Sequence, residues 1–195
     1  MPIKKTLIKK LDDLGVKYDI VSHRKVFTAY DAAQTMKKKV DEIVKSLLVK
    51  AGGTYYLIHV PASKNIDLKK LAKTLDVAKV TIPTEKVVTN ALKIKPGSLT
   101  AFGFAHKVQT VVDNSLTKAK KVIFSSGSLT ESIEMSIKEF LKTDEIKLGS
   151  FAVAKKLPKI PARNAKRSAA GGKKVKAKPK KKTTPKKKVA PKKKK

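Results

Sequence analysis

The residues best suited to chemistry in this sequence are one lysine in an apolar run and a set of hydroxyls at two glycine turns. Lys45 interrupts "EIVKSLLV", and strand alternation puts Ile43, Lys45 and Leu47 on one face. A lysine that shares a face with aliphatic side chains either snorkels to water or meets an anion. The turns are "KPGSLT" (95–100) and "SSGSLT" (125–130). Each has a glycine, which allows the backbone to approach a bound group closely. Each also has hydroxyls that can hold one.

Other signatures of catalysis are missing. The sequence has no G-x-S-x-G elbow, no P-loop and no G-x-G-x-x-G. His23, His59 and His106 show no metal-ligand spacing, and there is no cysteine. No metal or cofactor is therefore expected. His59 alternates with Tyr55 and Leu57, which favours a structural role, and His23 and His106 read as loop or surface residues.

The elements that must position these residues follow from periodicity. Ile3, Leu7, Ile8, Leu11 and Leu14 recur at helical spacing, with Gly15 as a stop. "KYDIVSH" reads as a strand. Thr28 and Asp31 have capping-box spacing ahead of a helix from Ala29 to Met36. Gly52-Gly53 joins two β-rich runs as a hairpin. Asp67 caps "LKKLAKTL", and a short helix is expected over 84–92. Strands are expected near 108–113, over 121–125 and after the second turn, with "SIKEFLK" as the last helix. No steady βαβ repeat is present, so the expected class is α+β with a largely antiparallel sheet.

Charge divides the chain. Residues 1–149 hold 27 basic and 15 acidic residues, whereas residues 150–195 hold 20 Lys or Arg and no acid. The boundary is expected near 150–156, with the domain taken as 1–150 and the basic arm as 151–195. An arm of Lys, Pro, Ala, Gly and Thr buries too little apolar surface to offset its ordering entropy, so composition predicts disorder. Lys173, Lys174, Lys180, Lys181, Lys182, Lys186, Lys187, Lys188, Lys192 and Lys193 are its candidate nucleic-acid contacts. No apolar run has the length of a membrane span and no secretory signal opens the chain, so a soluble, cytoplasmic protein is expected, without a membrane partner.

"VFTAYDAAQ", "IVKSLLVKAGGTYYLIHVPASKNIDLKKLAKTL", "KPGSLTAFGF", "VVDNSL" and "FSSGSLTESIEMSIKEFLK" occur in an order that resembles the YbaK/ProX-type aminoacyl-tRNA deacylase domain. The likeness spans roughly residues 3–148. It implies an α+β fold around a central, mostly antiparallel, barrel-like sheet with surrounding helices. It also implies hydrolysis of the ester between a wrong amino acid and its tRNA. By the resemblance, Gly97 and Ser98 line the pocket for the terminal adenosine and its ester, and Lys45 and Gly97 are the catalytic candidates. Ser46 follows the family's lysine, Phe27 and Thr28 close over the bound group, and Ser125, Ser126, Gly127 and Thr130 form the facing turn. Water is placed by backbone groups and by the substrate's ribose hydroxyl. This sequence departs from many relatives at Leu129, where they carry His, and at Thr100 or Ala101, where they carry Pro. A second reading stays open: a nonenzymatic nucleic-acid binder with an idle pocket and a histone-like arm.

Overall fold

The computed structural model describes residues 3–155. The candidate contacts of the basic arm, from Lys173 to Lys193, lie outside the described residues. The elements run α1 (Lys5–Asp13), β1 (Asp19–Ser22), α2 (Ala29–Thr35), β2 (Val44–Ala51), β3 (Thr54–Pro61) and β4 (Lys64–Ile66). They continue with α3 (Leu68–Leu75), β5 (Val80–Thr81), α4 (Glu85–Leu92), β6 (Gln109–Asp113) and β7 (Val122–Ser125). The last are β8 (Glu131–Met135), α5 (Ile137–Phe140), β9 (Ile146–Gly149) and β10 (Ala152–Ala154).

The strands form three sheets, ordered β5-β2-β3-β6-β9, β1-β8-β7 and β10-β4. The class is α+β, as the sequence predicts, but the sheets are mixed. β3 pairs β6 and β6 pairs β9 in parallel, while the other ladders are antiparallel. The expected barrel does not form among the described residues. Between the two larger sheets the link is a single bridge, Ile43 to Ile123. Immediately after it, β2 turns to pair along its whole length with β3, from Val44 opposite Pro61 to Ala51 opposite Thr54. One bridge cannot continue a ladder, so a seam is left open between the sheets.

Apolar periodicity explains the packing. α1 buries Leu7 and Leu11 against a core that includes Phe102, Leu116, Phe124 and Phe140. The Phe124 and Phe140 rings stack with centroids 4.1 Å apart. α3, capped by Asp67 at the amides of Lys69 and Lys70, buries Leu71 and Leu75 against Val49, Ile58, Val111 and Phe151. α2 starts where Thr28 Oγ1 accepts from the Asp31 amide, and it places Ala32 and Ala33 over Ile43, Ala62 and Ile123. Small residues here bring the helix close to the seam.

The fold continues past the composition boundary. Phe151 is fully buried, and β10 pairs residue by residue with β4. Asp113, at the end of β6, fastens this segment. Its Oδ2 accepts from the amides of Phe151 (2.7 Å) and Ala152 (2.6 Å), and its Oδ1 accepts from the Ser115 amide at 2.8 Å. Burial pushes the Asp113 carboxyl up, but the bonds from Ser115, Ala152 and Phe151 outweigh it and hold the group below its ordinary value. Residues 151–154 thus belong to the folded unit and not to the arm, because buried partners outweigh a basic composition.

Candidate active site

The open seam is a cleft of about 280 Å³. Its polar lining includes Thr28, Lys45, Ser46, Ser125 and Ser132, with Gly97 at one wall and Phe27 at the rim. Its apolar lining includes Val26, Ala32, Met36, Ile43, Ile123 and Leu129. Four segments that are distant in sequence therefore bring six of the expected site residues to one place: Phe27, Thr28, Lys45, Ser46, Gly97 and Ser125.

Lys45 is half-buried on β2, and its Nζ donates to the Lys64 carbonyl oxygen at 2.7 Å. Burial lowers the Lys45 pKa from its ordinary value, and the nearby Lys155 ammonium lowers it further. An ammonium has three N–H donors, so two remain beyond the Lys64 bond. Beside it, Ser46 Oγ is buried and bonds to no protein group. A buried hydroxyl without a partner is costly in a stable fold and marks a place where a ligand atom gains a bond.

Gly97 sits in a turn closed by the Ser98 amide donating to the Lys95 carbonyl at 3.1 Å. Gly97 has φ 72°, and Pro96 precedes it, so the turn is type II. A type II turn uses the amide of its fourth residue and leaves that of the third unused within the turn. The Gly97 N–H is that third-residue amide, at the cleft wall. Gly127 answers a different need: a Cβ there would lie 3.0 Å from the Ser98 carbonyl oxygen, so the second turn can press against the first. Ser125 Oγ donates to the Leu99 carbonyl at 2.9 Å, Thr100 Oγ1 donates to the Ser125 carbonyl at 3.2 Å, and Thr100 bridges Ser126.

Several expected substrate hydroxyls are thus occupied in building the wall. Ser98 Oγ donates to the Lys95 carbonyl at 2.6 Å, and Ser126 Oγ donates to the Glu131 carbonyl at 2.6 Å. Ser98, Ser126 and Gly127 line a neighbouring cavity on the far side of the two turns, and Thr130 lines neither. Thr130 instead anchors β1, its carbonyl accepting from the His23 amide at 2.8 Å.

Sequence reading missed His23 and Ser132. His23 Nδ1 faces the Arg24 carbonyl at 2.8 Å, and its Nε2 lies 2.9 Å from Ser132 Oγ. A carbonyl only accepts, so Nδ1 carries the proton. In the neutral ring Nε2 then accepts from Ser132, which lines the cleft. The residues lie 109 positions apart, and no sequence spacing signals that contact. His59 is structural, as expected. Fully buried, it meets the Phe140 ring edge-on at 5.3 Å, and neither ring nitrogen makes a well-formed hydrogen bond. Burial pushes its pKa down to about 3, opposed only in part by the backbone of Ala101.

The rim is cationic and aromatic. Phe27 is 74 % exposed, with Lys25 Nζ 4.9 Å from its ring centroid. Lys155 Nζ stands 4.4 Å from the Tyr30 centroid. Exposed rings beside ammonium groups suit bases and phosphates.

A family model for the aminoacyl-tRNA editing domain matches residues 23–143, which takes in both turns, Lys45 and the whole cleft lining of β2, β7 and β8. The chain belongs to the aminoacyl-tRNA editing domain family. Its members are aminoacyl-tRNA deacylases, and hydrolysis is the chemistry of this enzyme. The chain is 26% identical over 148 residues to the prolyl-tRNA editing protein ProX of Acetoanaerobium sticklandii, covering 73% of this chain and 90% of that protein. A crystal structure of a hypothetical protein aligns with TM-score 0.70 at 19% identity, over 76% of this chain and all of that one. A crystal structure of a candidate trans-editing enzyme for prolyl tRNA synthetase aligns with TM-score 0.65 at 21% identity, over 76% and 95% of the two chains. At these identities the two structures establish the fold. Among the described residues, no helix is long and apolar enough to cross a membrane.

Proposed function

We propose that this protein edits in trans, hydrolysing the ester of a tRNA that carries a wrong, small apolar amino acid. The observation that supports this reading is that a half-buried, partly desolvated Lys45 and Gly97, whose amide its own turn leaves unused, line one cleft that has no nucleophile–base–acid triad in its lining. Water adds to the ester carbonyl carbon, and the carbonyl oxygen becomes an oxyanion. Lys45 and the Gly97 N–H donate to that oxygen as its charge grows. The bond from carbon to the ribose oxygen then breaks, and that oxygen takes the proton given up by the water. The products are the free amino acid and an uncharged tRNA. Ser46 Oγ adds a bond to the bound ester or ribose.

Ala32, Met36, Ile43 and Leu129 supply apolar wall for the amino-acid side chain. Such walls accept an aliphatic side chain and leave a charged one unpaired. Leu129 supplies apolar wall where the resemblance leads one to expect His, and so bears on which amino acid the pocket accepts. The name of the ProX relative makes tRNA charged by prolyl-tRNA synthetase the first substrate to test. The arm of residues 157–195, with 18 Lys or Arg, adds electrostatic affinity for tRNA. The test is ester loss from a panel of mischarged and correctly charged tRNAs. Turnover of a small-residue ester on the tRNA for proline supports the reading. No ester loss from any member of the panel refutes it.

A further inference from the structure

The far side of the two-turn wall holds a second cavity, of about 330 Å³. That is at the low end of the ~300–1,000 Å³ usual for small-molecule sites, which suits a single nucleotide. Lys4, Lys10 and Lys93 line it, no acidic residue does, and Leu92 and Phe104 supply apolar wall. His106 Nε2 is buried there and bonds to no protein group. Burial pushes the His106 pKa down, the backbone of Thr100 opposes this, and the Lys4 ammonium pushes it further down. Three cations and a neutral ring with an unpaired nitrogen make a site that asks for an anion and a hydrogen-bonding partner together.

The two turns separate this cavity from the cleft and contribute adjacent residues to both. Gly97 and Ser125 face the cleft, while the next residues, Ser98 and Ser126, face the second cavity. A strand that enters the cleft with its terminal residue passes over two turns and meets the lysines on the other side. We propose that this second cavity is a subsite for the nucleotide preceding the terminal adenosine of the tRNA 3′ end. Lys4, Lys10 and Lys93 hold its phosphodiester, Leu92 and Phe104 cover its base, and His106 meets the base edge. The assignment rests on the editing reading of the neighbouring cleft.

The test compares the full-length chain with its Lys10→Gln/Lys93→Asn double variant. Asn is used because Lys93 has φ 52°, a conformation that Asn tolerates. Two substrates are used: alanyl-adenosine, which reaches only the cleft, and alanyl-CCA trinucleotide, which also reaches the second cavity. The expected result is a KM for the trinucleotide raised about tenfold in the variant, with a log–log salt slope shallower by about 0.7 for one single-stranded phosphate. Both kcat and KM for alanyl-adenosine stay unchanged. A variant that alters both substrates equally, or neither, overturns the subsite. Should the wild type hydrolyse neither ester, the editing reading fails, and unacylated CCA titrated against the His106 ring signals by NMR decides the subsite alone. Binding that the double variant loses supports it. Absent binding, or equal displacement by inorganic phosphate, overturns it.

Discussion

Replacing Lys45 by Met removes the ammonium while keeping the aliphatic stem that packs in the seam. A hydrogen bond from a charged donor contributes about 1.5–3 kcal/mol, and one oxyanion donor about 2.7–4 kcal/mol, to the state it stabilises. Lys45 is half-buried and not enclosed, and one of its three N–H groups is held by the Lys64 carbonyl. The lower part of that range applies, about 2–3 kcal/mol, or a fall in kcat/KM of about 30- to 150-fold. Stability moves the other way. The pKa of Lys45 is lowered by burial first and Lys155 second, so its charge is disfavoured in the folded state, and loss of that charge leaves Tm unchanged or raised. The ammonium is the active form: activity is present below its lowered pKa and is lost as pH rises through it. Lys45→Arg, which stays charged, is expected to lose that alkaline limb even where its rate is reduced. The assay is initial-rate ester loss from mischarged tRNA between neutral and mildly alkaline pH, corrected for spontaneous hydrolysis, with thermal melts alongside. Wild-type kcat/KM in Lys45→Met would refute the oxyanion role.

Other outcomes follow from the wall, the core and the arm. Gly97→Ala should cost about 1–2 kcal/mol for a left-handed backbone, since its Cβ meets only Leu129 Cδ2 at 3.8 Å. Gly127→Ala should cost more, because its Cβ also presses the Ser98 carbonyl at 3.0 Å; urea titration ranks the two, and equal losses contradict the packed wall. His59, its pKa pushed from 6.5 to about 3, withholds a proton that the unfolded chain binds. Its contribution is intact above pH 6.5 and is lost as pH falls, with a slope of ~1.36 kcal/mol per pH unit. His59→Leu should flatten that acid limb, and an unchanged limb rejects the assignment. Truncation after Lys156 should lower the log–log salt slope of tRNA binding by roughly 3–5 if about five phosphates are engaged, while turnover at saturation persists.

Local chemistry made much of this fold legible. The Thr28 and Asp67 caps, the Gly52-Gly53 hairpin and the α1 stripe at Leu7 and Leu11 are each set by residues within a few positions of one another. What stayed hidden depends on distant partners. The parallel pairing of Tyr56 with Gln109 and of Thr110 with Ile146 has no turn to announce it. β10 was concealed next to a basic stretch because distant partners hold it: the β4 ladder, the buried Phe151 ring and the Asp113 carboxylate. At the site, residue types pointed to Lys45 and Gly97, but not to which hydroxyls would be spent on the wall. Ser98 and Ser126 look as free in sequence as Ser46 does. Only the carbonyls of Lys95 and Glu131 distinguish them.

The Asp113 clasp bears on how the arm can work. The chain enters its basic segment directly after β10, and β10 is fastened at Phe151 and Ala152 to a carboxylate rooted in the central sheet. Tension from an arm attached to a polyanion is received first by that clasp and by the β4 pairing, on the strand bearing Lys64, whose carbonyl holds the Lys45 ammonium. The mooring point of the arm and the carbonyl that accepts from Lys45 Nζ thus meet at one short strand, β4. Acidification that protonates Asp113 would weaken the bonds from the Phe151 and Ala152 amides and slacken that mooring.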